Sequence, residues 1–333
     1  MRRDWLLAPG KVEWEVMLHV SRRALAAIAA STLGLFAALV VGFACGGPDE
    51  SADAPLAPPP DVVPPEGSSV TPDSDAPPPT KACGPAGVVS GFVAKQSVTF
   101  GGGGKGTYAV YVADKYDGKT AFPVVFAFHG DGGNGASMRG AKLEQAAAGA
   151  AVIVYPDGPN QTWDLETAPD QNRDYALFDA ILADVKAKLC VDPKRVFAFG
   201  FSRGAFFANQ LGCFRGDVLR GVSSHSGGGP YSNSAGDFDS NGFFKCPKPA
   251  VAALTIHGDA DNTVPYAAGV KARDHWRLRN ACGTTSKAYL PSPCITYDGC
   301  PSGHPVAWCS IPGLGHQMWS NTSQVVWSFF SSL

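Results

Sequence analysis

Residues 195–211, RVFAFGFSRGAFFANQL, contain the pattern that decides the fold. The apolar run at residues 195–199 predicts a buried strand, and residues 205–211 have the composition of a helix. Between them lies Gly200-Phe201-Ser202-Arg203-Gly204, a G-x-S-x-G pattern. In a sharp strand-to-helix turn the central serine projects, and the two flanking glycines relieve backbone crowding. We therefore predict that Ser202 is a nucleophile on such a turn.

Apolar runs and helical stretches alternate on both sides of this motif. Strands are predicted at residues 92–100, 107–113, 123–128, 150–155, 195–199, 219–223, 251–256 and 306–311. Helices are predicted at residues 138–148, 175–189, 205–211, 267–279 and 324–330. Such alternation is typical of an α/β fold with a mainly parallel central sheet flanked by helices.

Two loops that follow predicted strands carry an acid and a histidine, in that chain order. The loop at residues 259–265, DADNTVP, holds Asp259 and Asp261, and either one is placed to orient an imidazole. His316 lies in the glycine-rich loop after residues 306–311. Because the carboxyl ends of parallel strands meet at one edge of the sheet, these side chains should approach Ser202. The order Ser, Asp, His is that of a hydrolase triad.

A further glycine-rich loop, residues 129–133 (HGDGG), follows the buried strand PVVFAF. We predict that the backbone N–H groups of Asp131 and Arg203 receive the negative oxygen of an acyl-transfer intermediate. We also predict that His129, Trp163 and Trp319 contact the substrate. The phosphate-loop pattern G-x-x-x-x-G-K-[ST] is absent from the sequence.

Several segments together resemble carbohydrate esterase family 1 and the related extracellular polyhydroxybutyrate depolymerases, over nearly all of residues 83–333. The segments are CVDPKRV (190–196), NQLGC (209–213), HGDADNTVPY (257–266) and GHQMW (315–319). YDGC (297–300) and PVAWC (305–309) resemble the feruloyl esterase branch most. The resemblance implies an α/β-hydrolase fold and a triad of Ser202, Asp261 and His316. Arg203 and Asp131 depart from the family pattern.

The resemblance implies a serine esterase that acts on feruloyl or related hydroxycinnamoyl esters of plant cell-wall polysaccharide. The alternatives are a short-chain polyester depolymerase and an acetylxylan esterase. A serine peptidase and a catalytically silent surface scaffold that only binds are rivals from other classes. We expect no cofactor, no metal and a monomer. Lys and Arg number 21 and Asp and Glu 19 in residues 83–333, so nothing indicates a nucleic-acid partner.

The N-terminal quarter of the sequence predicts export. Residues 1–44 have the form of a signal, with a basic pair before an uncharged run from Ala24 to Ala44. Cys45 follows that run directly, as in bacterial lipoprotein signals, and we expect it to be lipidated, which attaches the protein to a membrane at the cell surface. The alternatives are a plain signal peptide, which leaves the protein secreted, and a membrane anchor, because the run of 21 residues is long enough to span a bilayer. Residues 45–82 contain eleven prolines and seven acidic residues and should form a disordered linker.

Cysteine usage agrees with export. Setting Cys45 aside, eight cysteines remain in the catalytic domain at residues 83–333, an even number compatible with four disulfides. Their pairing cannot be read from the sequence. No paired C-x-x-C motif accompanies His304 near the C-terminal cysteines, so a zinc site is not predicted.

Overall fold

A computed structural model describes residues 90–333 of the protein. The predicted export signal, the lipidation of Cys45, the linker at residues 45–82 and the first residues of the predicted catalytic domain lie outside the described residues. Within residues 90–333, none of the helices combines the length and the apolar character that crossing a bilayer requires.

The described chain is built around one ten-stranded sheet in the order β1-β2-β4-β3-β5-β6-β7-β10-β9-β8. The strands are β1 (Gly91–Phe100), β2 (Gly104–Val112), β3 (Phe122–Phe128), β4 (Val152–Pro156), β5 (Val191–Phe201), β6 (Gly221–His225), β7 (Ala252–Gly258), β8 (Ser286–Ala288), β9 (Cys294–Tyr297) and β10 (Val306–Ile311). The six central strands, β4-β3-β5-β6-β7-β10 in sheet order, are parallel to one another. At each edge of the sheet two strands continue it in antiparallel pairing, β1 and β2 at one edge and β9 and β8 at the other. The α/β fold class is confirmed.

Helices cover both faces of the sheet. They are α1 (Leu143–Ala147), α2 (Arg173–Lys188), α3 (Arg203–Phe214), α4 (Tyr266–Arg279) and α5 (Thr322–Ser331). Apolar residues of α2, α3 and α4 belong to one buried cluster, and those of α1 and α5 belong to a second. Strands β3, β4, β6 and β7 are buried along their whole length, as strands between two helical layers should be.

One predicted helix is wrong in detail. The chain over residues 138–148 is not a single helix but a 3-10 turn at Gly135–Ala141 followed by the short α1. Lys142 separates them with a left-handed backbone, φ 58° and ψ 29°. Gly140 weakens helical continuity just before the break. Strands β8 and β9 were not predicted, because both are short and β8 is exposed along its length.

Three disulfides lie within residues 90–333: Cys213–Cys246, Cys282–Cys300 and Cys294–Cys309. Cys190 is disulfide-bonded as well. In the described part of the chain, the one His/Cys/Asp/Glu group with metal-ligand spacing is His275 beside the Cys213–Cys246 bridge. The two sulfurs are bonded to each other and are therefore not the thiolates that a zinc site needs.

Candidate active site

Ser202 occupies a strained turn between β5 and α3. Its backbone has φ 54° and ψ −123°, and its N–H donates to the carbonyl of His225 at 2.9 Å. A Cβ at Gly200 would lie 2.0 Å from the carbonyl oxygen of Gly204, and one at Gly204 would lie 2.3 Å from that of Phe128. Both contacts are too close for any side chain. The two glycines of the motif are therefore required by the backbone that lifts Ser202 to the edge of the sheet.

A chain of hydrogen bonds joins Ser202, His316 and Asp261. Nε2 of His316 lies 2.9 Å from Oγ of Ser202, and Nδ1 lies 2.8 Å from Oδ2 of Asp261. Because an ionised carboxylate only accepts, Nδ1 carries the proton of a neutral imidazole and Nε2 is free to accept from the serine hydroxyl. Three residues far apart in the chain thus meet in the order that proton removal from Ser202 requires.

The buried Asp261 side chain is held as a carboxylate. Its Oδ1 accepts from the N–H groups of Thr263 and Val264, each at 2.9 Å. Burial raises the pKa of Asp261, but the hydrogen bonds from His316 and from these two N–H groups outweigh burial and leave the pKa below its ordinary value. A charged Asp261 stabilises an imidazolium at His316.

The structure shows which of the two aspartates, Asp259 or Asp261, contacts His316, a choice that the sequence pattern left open. Asp259 is exposed, and its Oδ1 accepts from the N–H of Gly313 at 2.6 Å. It therefore ties the histidine loop to the end of β7 without contacting the imidazole. Asp261, two residues on, points to His316.

The loop that follows β3 lies against the serine. A Cβ at Gly130 would be 3.1 Å from Cβ of Ser202. In the loop, Gly132 N–H donates to the carbonyl of Gln161 at 2.9 Å and Gly133 N–H to that of Gly130 at 3.1 Å. Among residues 90–333, the N–H groups of Asp131 and Arg203 have no such acceptor. Two backbone donors beside Ser202 thus remain available to a substrate oxygen.

The side chains of Trp163 and His129 are buried, and the prediction that they contact the substrate is wrong. Each is 1% exposed. Trp163 stacks on Phe207 and donates from Nε1 to the carbonyl of His129 at 2.8 Å. His129 donates from Nδ1 to the Gly130 carbonyl at 2.8 Å and accepts at Nε2 from Gly158 N–H at 2.9 Å. Burial lowers the pKa of His129, which agrees with this neutral form. Both side chains stabilise the loop at residues 129–133 from the buried side.

His225 is a residue of the site that the sequence analysis missed. It is fully buried at the end of β6, and burial lowers its pKa to about 3. Its carbonyl accepts from Ser202 N–H, while its Nε2 accepts from Trp319 N–H at 3.0 Å. One neutral histidine therefore connects the serine turn to the loop of His316. The one sequence signal was the polar run SSHS at residues 223–226 inside a buried strand.

Trp319 is half-buried, so it is the one predicted substrate-contacting side chain that the structure leaves partly accessible.

His257, on β7, supports the loop that carries Asp261. Its Nε2 donates to the carbonyl of Val264 at 2.9 Å and lies 3.6 Å from Oδ2 of Asp261. Burial lowers the pKa of His257, so the ring is neutral beside the carboxylate.

An aromatic cavity of about 190 Å³ begins one helical turn from Ser202. Phe206 lies on that turn, and its N–H reaches the carbonyl of Ser202 at 3.3 Å. Phe206 forms one wall, and the chain after β6 contributes Tyr231, Phe238 and Phe243. This chain is fixed to α3 by the Cys213–Cys246 bridge.

Comparison with known proteins finds relatives among carboxylic-ester hydrolases. Residues 171–292 match the family model "Phospholipase/Carboxylesterase". The "Probable feruloyl esterase C" of Aspergillus flavus is 31% identical over 224 residues, which cover 63% of this chain and 75% of that protein. The "Feruloyl esterase C" of Emericella nidulans is 31% identical over 221 residues, with the same two coverages.

A solved structure supports the fold. An acetyl xylan esterase from Aspergillus awamori superimposes with a TM-score of 0.56 at 17% identity, covering 72% of this chain and all of that one. An identity this low shows a shared fold alone. The sequence relatives show more, and together with the carboxylesterase match they establish that this chain belongs to the α/β-hydrolase family of carboxylic-ester hydrolases that includes the feruloyl esterases C.

Proposed function

We propose that this protein hydrolyses feruloyl or related hydroxycinnamoyl esters of plant cell-wall polysaccharide, with Ser202 as its nucleophile. The observation that carries the proposal is the hydrogen-bonded chain from Ser202 through His316 to Asp261, at 2.9 and 2.8 Å. It is the arrangement that acyl transfer by a serine needs.

The reaction proceeds in two acyl-transfer steps. His316 Nε2 takes the proton of Ser202 as Oγ attacks the ester carbonyl, and Asp261 stabilises the imidazolium. The N–H groups of Asp131 and Arg203 receive the oxyanion. The intermediate collapses to an acyl-enzyme as the alcohol leaves with the proton from His316. Water then attacks the acyl-enzyme with the same imidazole as base, and the carboxylic acid and free Ser202 are released.

Two observations favour an aromatic acyl group over acetyl or hydroxybutyryl. The sequence relatives are named feruloyl esterases. The aromatic cavity that begins at Phe206, one helical turn after Ser202, has a volume of about 190 Å³, somewhat larger than the roughly 150 Å³ that accommodates benzene in an apolar protein interior. An acetyl group would leave most of such a cavity unfilled, and its walls of Phe206, Tyr231 and Phe238 offer ring edges and faces to a phenyl group.

Initial rates on methyl ferulate, acetylated xylan and hydroxybutyrate oligomers test the substrate class. We expect the highest kcat/KM on methyl ferulate. Phe206→Ala should lower kcat/KM on methyl ferulate about tenfold, because one aromatic contact in the acyl pocket is lost. The same variant on p-nitrophenyl acetate is the internal control and should stay within about threefold of the parent. Equal losses on both esters, or a preference for acetylated xylan, would contradict the aromatic assignment.

Export and surface attachment are further parts of the proposal. The three disulfides within residues 90–333 support an oxidising compartment. Attachment rests on Cys45 after the apolar run at residues 24–44. Radiolabelled palmitate supplied to a bacterial host should enter the parent chain and not a Cys45→Ala variant. Label in neither chain would remove the lipid anchor from the proposal.

A further inference from the structure

We propose that the Arg203 side chain is a positioning residue that locks together the two halves of the oxyanion hole. This inference rests on the proposed function, because it assigns the two halves to the N–H groups of Asp131 and Arg203. The two residues that depart from the family pattern in sequence are neighbours in space, since Nε of Arg203 lies 3.7 Å from Oδ1 of Asp131.

The position of Arg203 is electrostatically unfavourable without partners. It is the first residue of α3, and a cation at a helix N-terminus opposes the helix dipole. Its side chain is nevertheless only 28% exposed. Two carboxylates offset this cost. The Asp131 carboxylate lies 3.7 Å from Nε of Arg203, and the Glu166 carboxylate lies 3.5 Å from Nη2. Its Nε also donates to the carbonyl of Trp163 at 2.7 Å. The guanidinium is thus occupied by protein groups on several sides.

Residues 158–166, here called the strap, carry this connection to the other half of the hole. Oγ1 of Thr162 donates to the Asp131 carboxylate. Nε1 of Trp163 donates to the His129 carbonyl, and the Gln161 carbonyl accepts from Gly132 N–H. The Gly158 N–H also donates to Nε2 of His129, so residues 129–132 are bonded to the strap at four points.

Arg203 closes this arrangement into a ring. The strap contacts the loop of Asp131 on one side and the Arg203 guanidinium on the other, and Arg203 follows Ser202 directly in the chain. The two N–H donors are thereby held at a fixed separation next to the nucleophile. Donors fixed in advance at the position where negative charge develops are what makes an oxyanion hole effective. The side chain acts through the loop and does not contact the substrate.

Steady-state kinetics of Arg203→Met test the inference. We expect kcat to fall about 10- to 100-fold on both p-nitrophenyl acetate and methyl ferulate, because a donor displaced by a fraction of an ångström loses most of its effect. KM should stay within about threefold, since ground-state binding is untouched. The pH dependence of kcat should keep the parent's midpoint, because His316 and Asp261 are unchanged.

Two further variants separate geometry from charge. Arg203→Lys retains the charge without the planar fork and should recover only part of kcat. Asp131→Asn removes the charge while retaining an acceptor for Thr162. The double variant Arg203→Met with Asp131→Asn should be no slower than Arg203→Met alone, because both changes break one ring.

Arg215→Met is the matched control. Arg215 directly follows the last residue of α3, at the opposite end of the helix from Ser202. Its Nη2 lies 2.7 Å from Oδ2 of Asp179. It should lower the unfolding midpoint without lowering kcat. A transition-state analogue such as a trifluoromethyl ketone should bind Arg203→Met more weakly by the same factor as kcat falls, while ferulate binding is unchanged.

The inference is overturned if Arg203→Met keeps kcat within about threefold of the parent, or if KM rises while kcat stays constant. It is also overturned if Arg203→Met and Arg215→Met change stability and kcat alike. Such results leave the proposed function intact as long as parent activity still requires Ser202. Parent-level activity in a Ser202→Ala variant would instead remove the proposed function itself.

Discussion

Replacing Asp261 with asparagine should nearly abolish turnover while leaving the fold intact. In the parent, Oδ1 accepts two backbone N–H groups and Oδ2 accepts from Nδ1 of His316 at 2.8 Å. An asparagine that keeps its oxygen on the two N–H groups must turn its NH2 group toward Nδ1. Nδ1 then has to accept, so the imidazole proton moves to Nε2. Such a ring cannot take the proton of Ser202.

The expected size of this effect follows from the tautomer change. The same substitution in a Ser-His-Asp protease lowers kcat about 10⁴-fold with the geometry preserved. At about 1.4 kcal/mol for each factor of ten, this corresponds to roughly 5.5 kcal/mol of transition-state stabilisation. We expect a loss of that order for Asp261→Asn.

Hydrolysis of p-nitrophenyl acetate near pH 8 measures this loss, with circular dichroism as the check on folding. Asp259→Asn is the matched control, because Asp259 lies two residues away and accepts only from the loop, at Gly313 N–H. It should stay within about threefold of the parent. The reasoning is refuted if Asp261→Asn retains more than about a tenth of the parent kcat, or if Asp259→Asn loses as much.

Three further substitutions test the turn that carries Ser202 and two buried titratable groups. Gly200→Ala should give no active folded protein, because its Cβ would lie 2.0 Å from the Gly204 carbonyl oxygen, and expression with an ester-overlay assay checks this. His225 has a folded pKa of about 3, so only the unfolded chain takes up its proton below pH ~6.5. The parent should lose about 1.4 kcal/mol more per pH unit between pH 6 and 4.5 than His225→Gln does, as measured by urea unfolding. Equal slopes would contradict the burial of a neutral ring. Burial raises the pKa of Asp174 to about 6, so its charge destabilises the fold at pH 8. Asp174→Asn should therefore raise the free energy of unfolding by up to about 3 kcal/mol at pH 8, and the gain should vanish below pH ~4. A loss at pH 8 would show that the carboxylate is stabilised there.

The nucleophile turn and the parallel sheet could be predicted from the sequence because their determinants are local. Gly200 and Gly204 mark the turn, and the apolar strand and the helix on either side give it a context. The chain order of Asp261 and His316 then follows from topology, since parallel strands end at one edge. Composition and spacing do not discriminate between Asp259 and Asp261 as the triad acid. The family resemblance points to Asp261, and the structure places the Asp261 carboxylate against His316.

Residues whose roles depend on tertiary placement could not be predicted. Trp163 looks like a pocket residue in sequence, yet its indole packs on Phe207 in the core. His225 belongs to no recognisable motif. Its role depends on the ends of β5 and β6 and the loop of His316, which lie together around its imidazole. The strap that connects Arg203 to Asp131 joins segments about 30 and 40 residues apart in the chain, and no local pattern encodes such a contact.

The most direct test of the central claim is mass spectrometry of the protein after reaction with a fluorophosphonate. The account predicts one adduct per chain, on the tryptic peptide that contains Ser202, with loss of esterase activity in step. Ser202→Ala should take no adduct. Ser224→Ala, which removes a neighbouring buried hydroxyl without a hydrogen-bond partner within the described chain, should react like the parent. An adduct on another residue, or full activity in Ser202→Ala, would contradict the account.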